Sequence, residues 1–206
     1  MDKCDSIWEV AGRKTFKYQH HGQRLISKKE TQLNKAFVLF DRDGTLIEHV
    51  HHLIDPDLVQ FKNDLQSSLQ ILENAGYRFG IISNQSVVGR GLASISDVEK
   101  VNAKIVDFLK PFGIIFDFVY FCPHLPGIGC GCRKPAISLG LKAIAEHQLD
   151  PSQSFMVGDQ ESDLLFGKNL GCTTIQVQGN AAKSSFADYY SDTLENAAKW
   201  ILTKKE

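Results

Sequence analysis

Residues 36–46 read Ala-Phe-Val-Leu-Phe-Asp-Arg-Asp-Gly-Thr-Leu, and this stretch decides the fold of the chain. Five apolar residues run directly into two carboxylates, Asp41 and Asp43, that are separated by one residue. A short continuous apolar run predicts a strand buried on both faces of a sheet, and Gly44 allows the chain to turn away after it. The two aspartates are therefore expected at the carboxyl end of a buried strand, where open α/β sheets place their chemistry.

Asp41 and Asp43 are two positions apart, so in an extended chain their side chains lie on the same side. Two carboxylates so placed repel each other unless a cation or a proton separates them. The competing interpretation is an exposed turn of the Asp-x-Asp-Gly kind, without chemistry. The apolar run before the pair and three further polar motifs downstream favour a functional site.

Composition limits the classes of function that need to be considered. The chain has 206 residues, 43% hydrophobic and 23% charged, which suits one soluble domain with a sizeable core. The net charge is −1, so no basic surface indicates a nucleic-acid or membrane partner. No apolar run is long enough to span a bilayer, and the first residues do not form a secretory signal, so we expect a cytoplasmic protein. Five cysteines, three of them clustered, favour metal binding in a reducing compartment.

The sequence divides into an N-terminal extension of unclear role, residues 1–35, and one domain, residues 36–206. Strands are predicted over 36–40, 77–82, 114–121, 154–158 and 172–177, and helices over 63–75, 96–109, 136–147, 161–170 and 192–202. Ser96 with Glu99, and Asp192 with Glu195, are predicted to begin two of these helices as capping boxes. Strands that alternate with helices predict an α/β fold: a three-layer, doubly wound parallel sheet with right-handed crossovers. Because these elements fill the chain between the motifs, no separate cap domain is expected.

A cluster of metal-binding residue types follows the third predicted strand. One histidine and three cysteines lie within eleven residues, at Cys122, His124, Cys130 and Cys132. They provide the closed Cys₃His set that is typical of structural zinc. Free thiols or a disulfide are the alternatives, but C-x-C disulfides are strained and the expected compartment is reducing. We expect a structural Zn²⁺ that fixes the loop leading to Arg133 and Lys134.

Polar residues also follow the first, second and fourth strands. The segment Ser83-Asn84-Gln85-Ser86, with Arg90-Gly91 beyond it, has the small polar residues and single arginine expected of a phosphate cradle. Asp159 and Asp163 follow the fourth strand, and hard oxygen ligands of this kind suit Mg²⁺. His49, His51 and His52 lie in the loop after the first strand and lack the helical spacing of two metal ligands on one face. A loop that contacts substrate is the favoured interpretation for these histidines.

Asp41-Arg42-Asp43-Gly44-Thr45, Ser83, Lys134 and Gly158-Asp159 to Asp163 occur in the order of the four motifs of the haloacid dehalogenase (HAD) superfamily of phosphatases. The chain resembles that superfamily from residue 36 to about residue 180. The resemblance implies a HAD-like Rossmannoid fold with strand order 3-2-1-4-5 and catalysis that depends on Mg²⁺. It further implies that Asp41 is the nucleophile, that Asp43 is the general acid and base, that Ser83 binds the transferring phosphoryl group and that Lys134 steadies the charges. Asp41, Asp159 and the backbone carbonyl of Asp43 would hold Mg²⁺, and Asp163 would orient Lys134 or its loop.

Two features narrow the resemblance. The Asn-Gln-Ser segment at 84–86 with Arg90-Gly91, together with the Cys₃His loop, is similar to the histidinol-phosphatase and heptose-bisphosphatase subfamily. Ser86 and Arg90 favour the D-glycero-D-manno-heptose-1,7-bisphosphate 7-phosphatases, whose product feeds nucleotide-activated heptose for lipopolysaccharide or capsule. Histidinol-phosphate phosphatase is the alternative, and a catalytically inactive binding module on the same fold is a third.

The resemblance also implies a small phosphorylated sugar as the partner, and we expect the enzyme to be a monomer. Its expected contacts are Arg42, His49, His52, Asn84, Gln85, Ser86, Arg90, Arg133 and Gln160. Two positions depart from the heptose enzymes, which usually have glycine where Val87 stands and a lysine or arginine where Gln160 stands. Val87 restricts the loop backbone, and Gln160 removes a cation near the substrate.

Overall fold

The fold is a six-stranded parallel sheet covered by helices on both faces. The computed structural model describes residues 35–177 and 182–204. The strands are β1 (Phe37–Phe40), β2 (Arg78–Asn84), β3 (Phe116–Cys122), β4 (Phe155–Gly158), β5 (Thr173–Val177) and β6 (Tyr189–Ser191). The helices are α1 (Leu65–Asn74), α2 (Ile95–Leu109), α3 (Ser138–His147), α4 (Glu161–Leu170) and α5 (Leu194–Leu202). The spatial order of the strands is β3-β2-β1-β4-β5-β6, and every neighbouring pair is parallel.

The predicted order 3-2-1-4-5 is confirmed, and the structure adds a sixth strand at the β5 edge. β6 has only three residues and pairs with β5 through Ile175 and Tyr189, Gln176 and Tyr190, and Val177 and Ser191. Its sequence, Tyr-Tyr-Ser, contains no apolar run of the length that predicts a buried strand.

The strand β1 shows why the sheet has three layers. Its four side chains are fully buried and alternate between the two faces. Val38 and Phe40 pack into a core under α1, α2 and α5, whereas Phe37 and Leu39 pack into a second core under α3 and α4. Burial of each such side chain contributes about 1.5–3 kcal/mol of stability. The apolar run before Asp41 therefore contributes to both cores of the domain.

Two helix starts differ from the prediction. The α2 capping box is Ser94 with Asp97, not Ser96 with Glu99: Ser94 Oγ accepts from Asp97 N at 3.2 Å, and Asp97 Oδ2 accepts from Ser94 N at 3.0 Å. The α5 N-cap is Thr193, whose Oγ1 accepts from Asn196 N at 3.1 Å, instead of Asp192. In both places two overlapping segments match an N-cap pattern, and the structure uses Ser94 and Thr193.

Within residues 35–177 and 182–204, the loops at the carboxyl ends of the strands carry no further domain. Between β1 and α1 the chain forms one 3₁₀ turn, Pro56–Leu58, and isolated bridges that join Ile47 to Asp43 and to Phe61. Residues 123–137, between β3 and α3, contain no helix or strand. The predicted lack of a separate cap domain therefore agrees with the described residues. The predicted extension lies outside them except for Lys35, whose N–H donates to Gln148 O at 2.9 Å. No helix in the described part of the chain is long and apolar enough to cross a membrane.

Candidate active site

The site lies where β1 and β4 end side by side at the centre of the sheet. Asp41 directly follows β1 and its N–H donates to Val157 O of β4 at 2.9 Å, so the strand pairing continues into the motif. Asp159 directly follows β4, and Asp163 lies in the first turn of α4. Carboxylate oxygens of Asp41, Asp159 and Asp163 lie within 4.8 Å of one another, and all three residues are buried. Three acidic groups this close require cations between them.

Gly44 allows the loop after Asp41 to reach Asp159. Its φ is +85°, a region that favours glycine, and its N–H donates to Ile47 O at 2.8 Å. A Cβ at this position would lie 2.6 Å from Asp159 Oδ2. The loop therefore passes Asp159 at a distance that no side chain permits.

Lys134 provides a positive charge within the acidic cluster. Its Nζ donates to Asp41 Oδ1 at 2.7 Å and to Ile82 O at 2.6 Å, and it lies 2.8 Å from Asp163 Oδ1. The side chain is 1% exposed, so the ammonium group is taken almost wholly out of water. The orientation of Lys134 by Asp163, which the resemblance implies, agrees with this geometry.

The electrostatics of the cluster follow from burial and from these charges. Burial raises the pKa of Asp41 to about 7, and Asp163 and Asp43 add to the rise while Lys134 opposes it. Burial and the charge of Asp41 raise the pKa of Asp159. Burial lowers the pKa of Lys134, but Asp163 and Asp41 outweigh it, so its pKa is raised and it remains an ammonium. The excess of negative charge favours a further cation at Asp41 and Asp159.

Three buried polar atoms in this region have no hydrogen-bond partner among the described residues. They are Ser83 Oγ, Thr45 Oγ1 and Asp159 Oδ1. Buried polar groups are nearly always satisfied, so unsatisfied atoms at a carboxylate cluster indicate the place of a ligand. The carboxylate set fits Mg²⁺, which prefers a few carboxylates together with water and phosphate oxygens. The Ser83 hydroxyl fits a phosphoryl oxygen.

The four residues predicted to bind zinc come together in the loop after β3. The Cys132 Sγ lies 3.3 Å from Cys122 Sγ and 3.2 Å from His124 Nδ1, and Cys122 Sγ lies 3.7 Å from Cys130 Sγ. Sulfur ligands at 2.3 Å from a tetrahedral zinc are about 3.8 Å apart. The cysteines that the structure describes form no disulfide. Hydrogen bonding with Cys132 lowers the pKa of the Cys122 thiol to about 5, which favours the thiolate that a metal requires. The set fits a closed, four-ligand metal site.

Hydrogen bonds tie this Cys₃His loop to the catalytic edge of the sheet. The Asn84 side chain accepts from Lys134 N at 3.0 Å and donates to Lys134 O at 3.2 Å. Gln85 N donates to Cys122 O at 2.7 Å, and Gly89 N donates to Pro123 O at 2.8 Å. The loop after β2 and the loop after β3 therefore form one unit. Asn84, predicted to bind substrate, uses its amide to hold the Lys134 backbone.

Arg42 does not occupy the position that its predicted role in substrate binding requires. Its side chain is 1% exposed and points into the protein, where Nη1 donates to Asn102 Oδ1 at 3.0 Å and Nη2 donates to Gln85 Oε1 at 2.9 Å. The guanidinium also pairs with Asp43. Its described hydrogen bonds are directed inward, to Asp43 and to two neutral amides, and not toward the mouth of the site where a ligand would enter.

The remaining predicted contacts include three residues in the loops after β1 and β2. His49, His52 and Arg90 are exposed. The rings of His51 and His52 lie 3.8 Å apart, and slight desolvation, with the charges of His51 and Arg90, lowers the pKa of His52. The charge of Arg90 thus acts on the loop after β1.

Three further predicted positions have local partners. Arg133 Nη1 donates to His124 O at 3.3 Å, and Ser86 O accepts from Arg90 N at 3.0 Å. Gln160 Nε2 donates to Asp159 Oδ2 at 2.6 Å. Val87 is buried, and it is not among the described non-glycine residues with positive φ, which are His52 and Gln148. The loop therefore accommodates a β-branched residue where the heptose enzymes usually have glycine.

Comparison with known proteins identifies the family. A family model described as HAD-hydrolase-like matches residues 131–197. The D-glycero-beta-D-manno-heptose-1,7-bisphosphate 7-phosphatase of Helicobacter pylori is 39% identical over 137 residues, which cover 66% of this chain and 79% of that protein. The chain belongs to the HAD-like phosphatase family. The histidine biosynthesis bifunctional protein HisB of Campylobacter jejuni is 36% identical to this HAD-like phosphatase over 143 residues, covering 68% of the chain and 40% of that longer protein.

A solved structure agrees with the fold of this HAD-like phosphatase. The D,D-heptose 1,7-bisphosphate phosphatase from B. bronchiseptica, crystallised with magnesium and phosphate, matches it with a TM-score of 0.74 at 24% identity. The match covers 82% of this chain and 99% of that one. Family and fold together make the protein a phosphoric monoester hydrolase, and the resemblance drawn from the four motifs is confirmed.

Two buried polar residues of the HAD-like phosphatase were missed in the sequence. Asn102 lies on the buried face of α2 and binds Arg42, and a polar residue within an otherwise apolar helical stripe was the available signal. Thr45 belongs to the first motif but received no role from the sequence; it is 1% exposed, and its hydroxyl has no hydrogen-bond partner among the described residues.

Proposed function

We propose that this HAD-like phosphatase removes the 7-phosphate of D-glycero-D-manno-heptose 1,7-bisphosphate and retains the 1-phosphate. The observation that carries the phosphatase mechanism is the buried Asp41 carboxylate, which accepts from Lys134 Nζ at 2.7 Å. The buried oxygens Ser83 Oγ and Asp159 Oδ1, which have no hydrogen-bond partner among the described residues, support it. The choice of substrate rests on the heptose-bisphosphate relatives and on Ser86 and Arg90 in the loop after β2.

The mechanism assigns separate tasks to the two aspartates. The Asp41 carboxylate attacks phosphorus, and the bond from phosphorus to the sugar oxygen breaks, which leaves an aspartyl phosphate. Asp43 gives a proton to the departing sugar oxygen. In the second step Asp43 takes a proton from water as that water attacks phosphorus, and Asp41 and inorganic phosphate are regenerated. Lys134 and the Ser83 hydroxyl interact with the phosphoryl oxygens as charge develops.

Asp41, Asp159 and the backbone carbonyl of Asp43 are the residues proposed to hold Mg²⁺. When bound, Mg²⁺ supplies positive charge that lets the Asp41 carboxylate approach a dianionic phosphate. Asp41 and Asp159 lie in the buried carboxylate cluster, and the Asp159 Oδ1 has no other partner among the described residues.

Zn²⁺ is the ion proposed for Cys122, His124, Cys130 and Cys132. All four positions are protein ligands, so the site leaves no open position for water and its role is structural. It would hold a loop with little apolar content, and Lys134 lies in that same loop, two residues after Cys132. Clustered thiols that serve as metal ligands also support a reducing compartment, and we propose the cytoplasm.

Two arginines outside the carboxylate cluster are available to bind the second phosphate of the substrate. Arg90 is exposed in the loop after β2, and Arg133 is half-buried in the Cys₃His loop. Arginine binds phosphate with two parallel hydrogen bonds, which lysine cannot copy. We assign the 1-phosphate of the substrate to these two residues. We further propose that the enzyme is a monomer, and that its product supplies the nucleotide-activated heptose used for lipopolysaccharide or capsule.

Histidinol-phosphate phosphatase is the second candidate, because the HisB protein is 36% identical and Gln160 lacks the cation usual in heptose enzymes. The test compares kcat/KM for the heptose bisphosphate and for histidinol phosphate with Mg²⁺, using Asp41→Asn as the inactive control. We expect the bisphosphate to be preferred and Asp41→Asn to retain less than a few per cent of turnover. At least tenfold higher kcat/KM for histidinol phosphate would transfer the assignment to the second candidate.

The Arg90 assignment has its own test. Losing one charged contact costs roughly 1.5–3 kcal/mol, or on the order of tenfold to a hundredfold in kcat/KM. Arg90→Ala should therefore reduce kcat/KM for the bisphosphate more than for a heptose monophosphate of similar size. An equal loss on both substrates would remove Arg90 from the 1-phosphate site.

A further inference from the structure

The Asp43 carboxylate is held by three hydrogen-bond donors. Arg42 Nε donates to Oδ2 at 3.0 Å, and Arg42 Nη2 donates to Oδ1 at 3.1 Å. Gln85 Nε2 donates to Oδ2 at 2.8 Å. The Asp43 side chain is nevertheless 21% exposed, so part of the carboxylate remains accessible from the mouth of the site.

The Arg42 guanidinium is itself fixed from two other elements. It is buried, and its other hydrogen bonds among the described residues go to neutral amide oxygens: Asn102 Oδ1 on α2 and Gln85 Oε1 after β2. Asn102 and Gln85 are 6% and 4% exposed. Asp43 is therefore the acidic partner of this buried cation, and Gln85 contacts both members of the pair.

We propose that Arg42, Gln85 and Asn102 are positioning residues for the acid–base work of Asp43, an inference that rests on the proposed function. Asp43 lies beside Gly44 in a tight turn, and an unsupported aspartate side chain has several rotamers available there. Donors on both carboxylate oxygens fix its orientation, and reactions that transfer a proton depend strongly on such geometry. Asn102 acts at one remove, by holding the guanidinium.

If Arg42 had a purely structural role, its replacement would affect the substrates differently from the loss of a positioning residue. A buried arginine that only joins the loop to α2 would, when changed, disturb the whole site and slow every substrate alike. A residue that positions the general acid acts on leaving-group protonation. It should matter for a sugar phosphate, whose alkoxide must be protonated, and hardly at all for 2,4-dinitrophenyl phosphate, whose phenolate departs without a proton.

The experiment measures kcat/KM of Arg42→Lys, Asp43→Asn and the double variant on a sugar phosphate and on 2,4-dinitrophenyl phosphate. The ratio kcat/KM reports formation of the aspartyl phosphate, so the second use of Asp43 does not enter. General acid catalysis is worth roughly 10²- to 10⁴-fold. We expect Arg42→Lys to lose about tenfold to a hundredfold on the sugar phosphate and less than about threefold on the aryl phosphate. Added to Asp43→Asn, it should cause no further loss on the sugar phosphate.

Two comparisons keep the test decisive. Arg78→Lys changes an arginine paired with Asp117 away from the site and should leave the substrate ratio unchanged. Gln85→Leu removes one donor to Asp43 while leaving the Arg42 contacts to that carboxylate. If Arg42→Lys does not fold, Gln85→Leu is compared on the same two substrates in its place. Equal losses on both substrates would overturn the positioning role. If Asp43→Asn itself showed no leaving-group dependence, the proposed role of Asp43 would fail first.

Discussion

Gly44 shows how one backbone conformation permits the chemistry of the site. It combines a positive φ with a close approach to Asp159. These two requirements are separable, because Gly76 has a similar φ of +83° and a Cβ added there would meet no atom within 4 Å. Gly44→Ala should lose about 1–2 kcal/mol of stability to backbone strain and also displace Asp159. Gly76→Ala should show the strain alone.

The measurement for this pair is the free energy of unfolding together with the Mg²⁺ concentration that gives half-maximal activity. We expect a similar stability loss in both variants. Gly44→Ala should in addition need at least about tenfold more Mg²⁺, since a charged contact to the metal is worth more than about 1.4 kcal/mol. Unchanged Mg²⁺ dependence in Gly44→Ala would show that Asp159 does not depend on the glycine.

At the residue level, the sequence predicted which side chains gather but not which way each one points. The four motif positions meet at one edge of the sheet because parallel strands bring their carboxyl ends together. The burial of Arg42 was not predictable, because arginine is rarely buried unless paired and its partners Asn102 and Gln85 are distant in sequence. The contact between Asn84 and the Lys134 backbone was also not predictable, because these two residues are far apart in the sequence.

The Cys₃His loop is the element whose stability should determine that of the site. Cys130→Ser removes one proposed zinc ligand, and loss of a structural metal is among the few single changes that cost more than about 3 kcal/mol. Stability and kcat should fall together, because the loop backbone continues into Lys134. Cys172→Ala is the matched control, since Cys172 is a buried cysteine outside the cluster.

Elemental analysis and thermal unfolding check this prediction. Wild type and Cys172→Ala should carry one equivalent of zinc, and Cys130→Ser should carry much less. Less than a tenth of an equivalent of zinc per chain, in protein produced with ample zinc, would contradict the zinc assignment.

The carboxyl end of α3 should make the stability of the protein depend on pH. Burial lowers the pKa of His147, with Arg78 and Lys142 acting in the same direction and Asp117 and Glu146 opposing. The His147 ring packs on Phe118 at 4.7 Å and lies 3.1 Å from Tyr120 Oη. A histidine with a lowered pKa binds fewer protons in the folded state, so its contribution is complete above about pH 6.5 and is lost as the pH falls.

Melting temperatures between pH 7.5 and pH 5 test this sign. The wild type should lose more of its Tm over that range than His147→Gln, while the exposed-residue control His49→Gln should follow the wild type. An identical pH slope in wild type and His147→Gln would contradict the prediction.

Element starts and short edge strands were the least predictable features of the fold. Ser94 and Ser96 both begin acceptable capping patterns, and the structure uses Ser94 for a helix that buries Val98, Val101 and Ile105. β6 is defined by its pairing with β5, a tertiary contact that three residues cannot encode by themselves. The helix over 161–170 was predicted to the residue, and in the structure Gly171 ends it in the left-handed conformation.

At the scale of the whole molecule, every described contact of the site lies between residues 41 and 163. A variant that begins at Lys35 keeps the hydrogen bonds of that residue to Gln148 and Asp150. We expect it to retain kcat/KM within about twofold, as for changes remote from a site. Phosphatase assays and thermal unfolding of the two lengths make the comparison. A loss above tenfold at unchanged Tm would assign residues 1–34 a part in catalysis.

The position of β1 between β2 and β4 has a consequence for the order of events during synthesis. The hydrogen bond from Phe37 N to Ser154 Oγ joins residues 117 positions apart, so the two halves of the site meet late, after a large loop-closure cost. A nascent chain that has emerged through Lys134 already carries Asp41, Asp43 and Ser83 but lacks Asp159. At about 5–20 residues per second, the ribosome takes on the order of a few seconds to complete the set. We therefore expect that, until β4 emerges and docks, the growing chain does not hydrolyse phosphate esters.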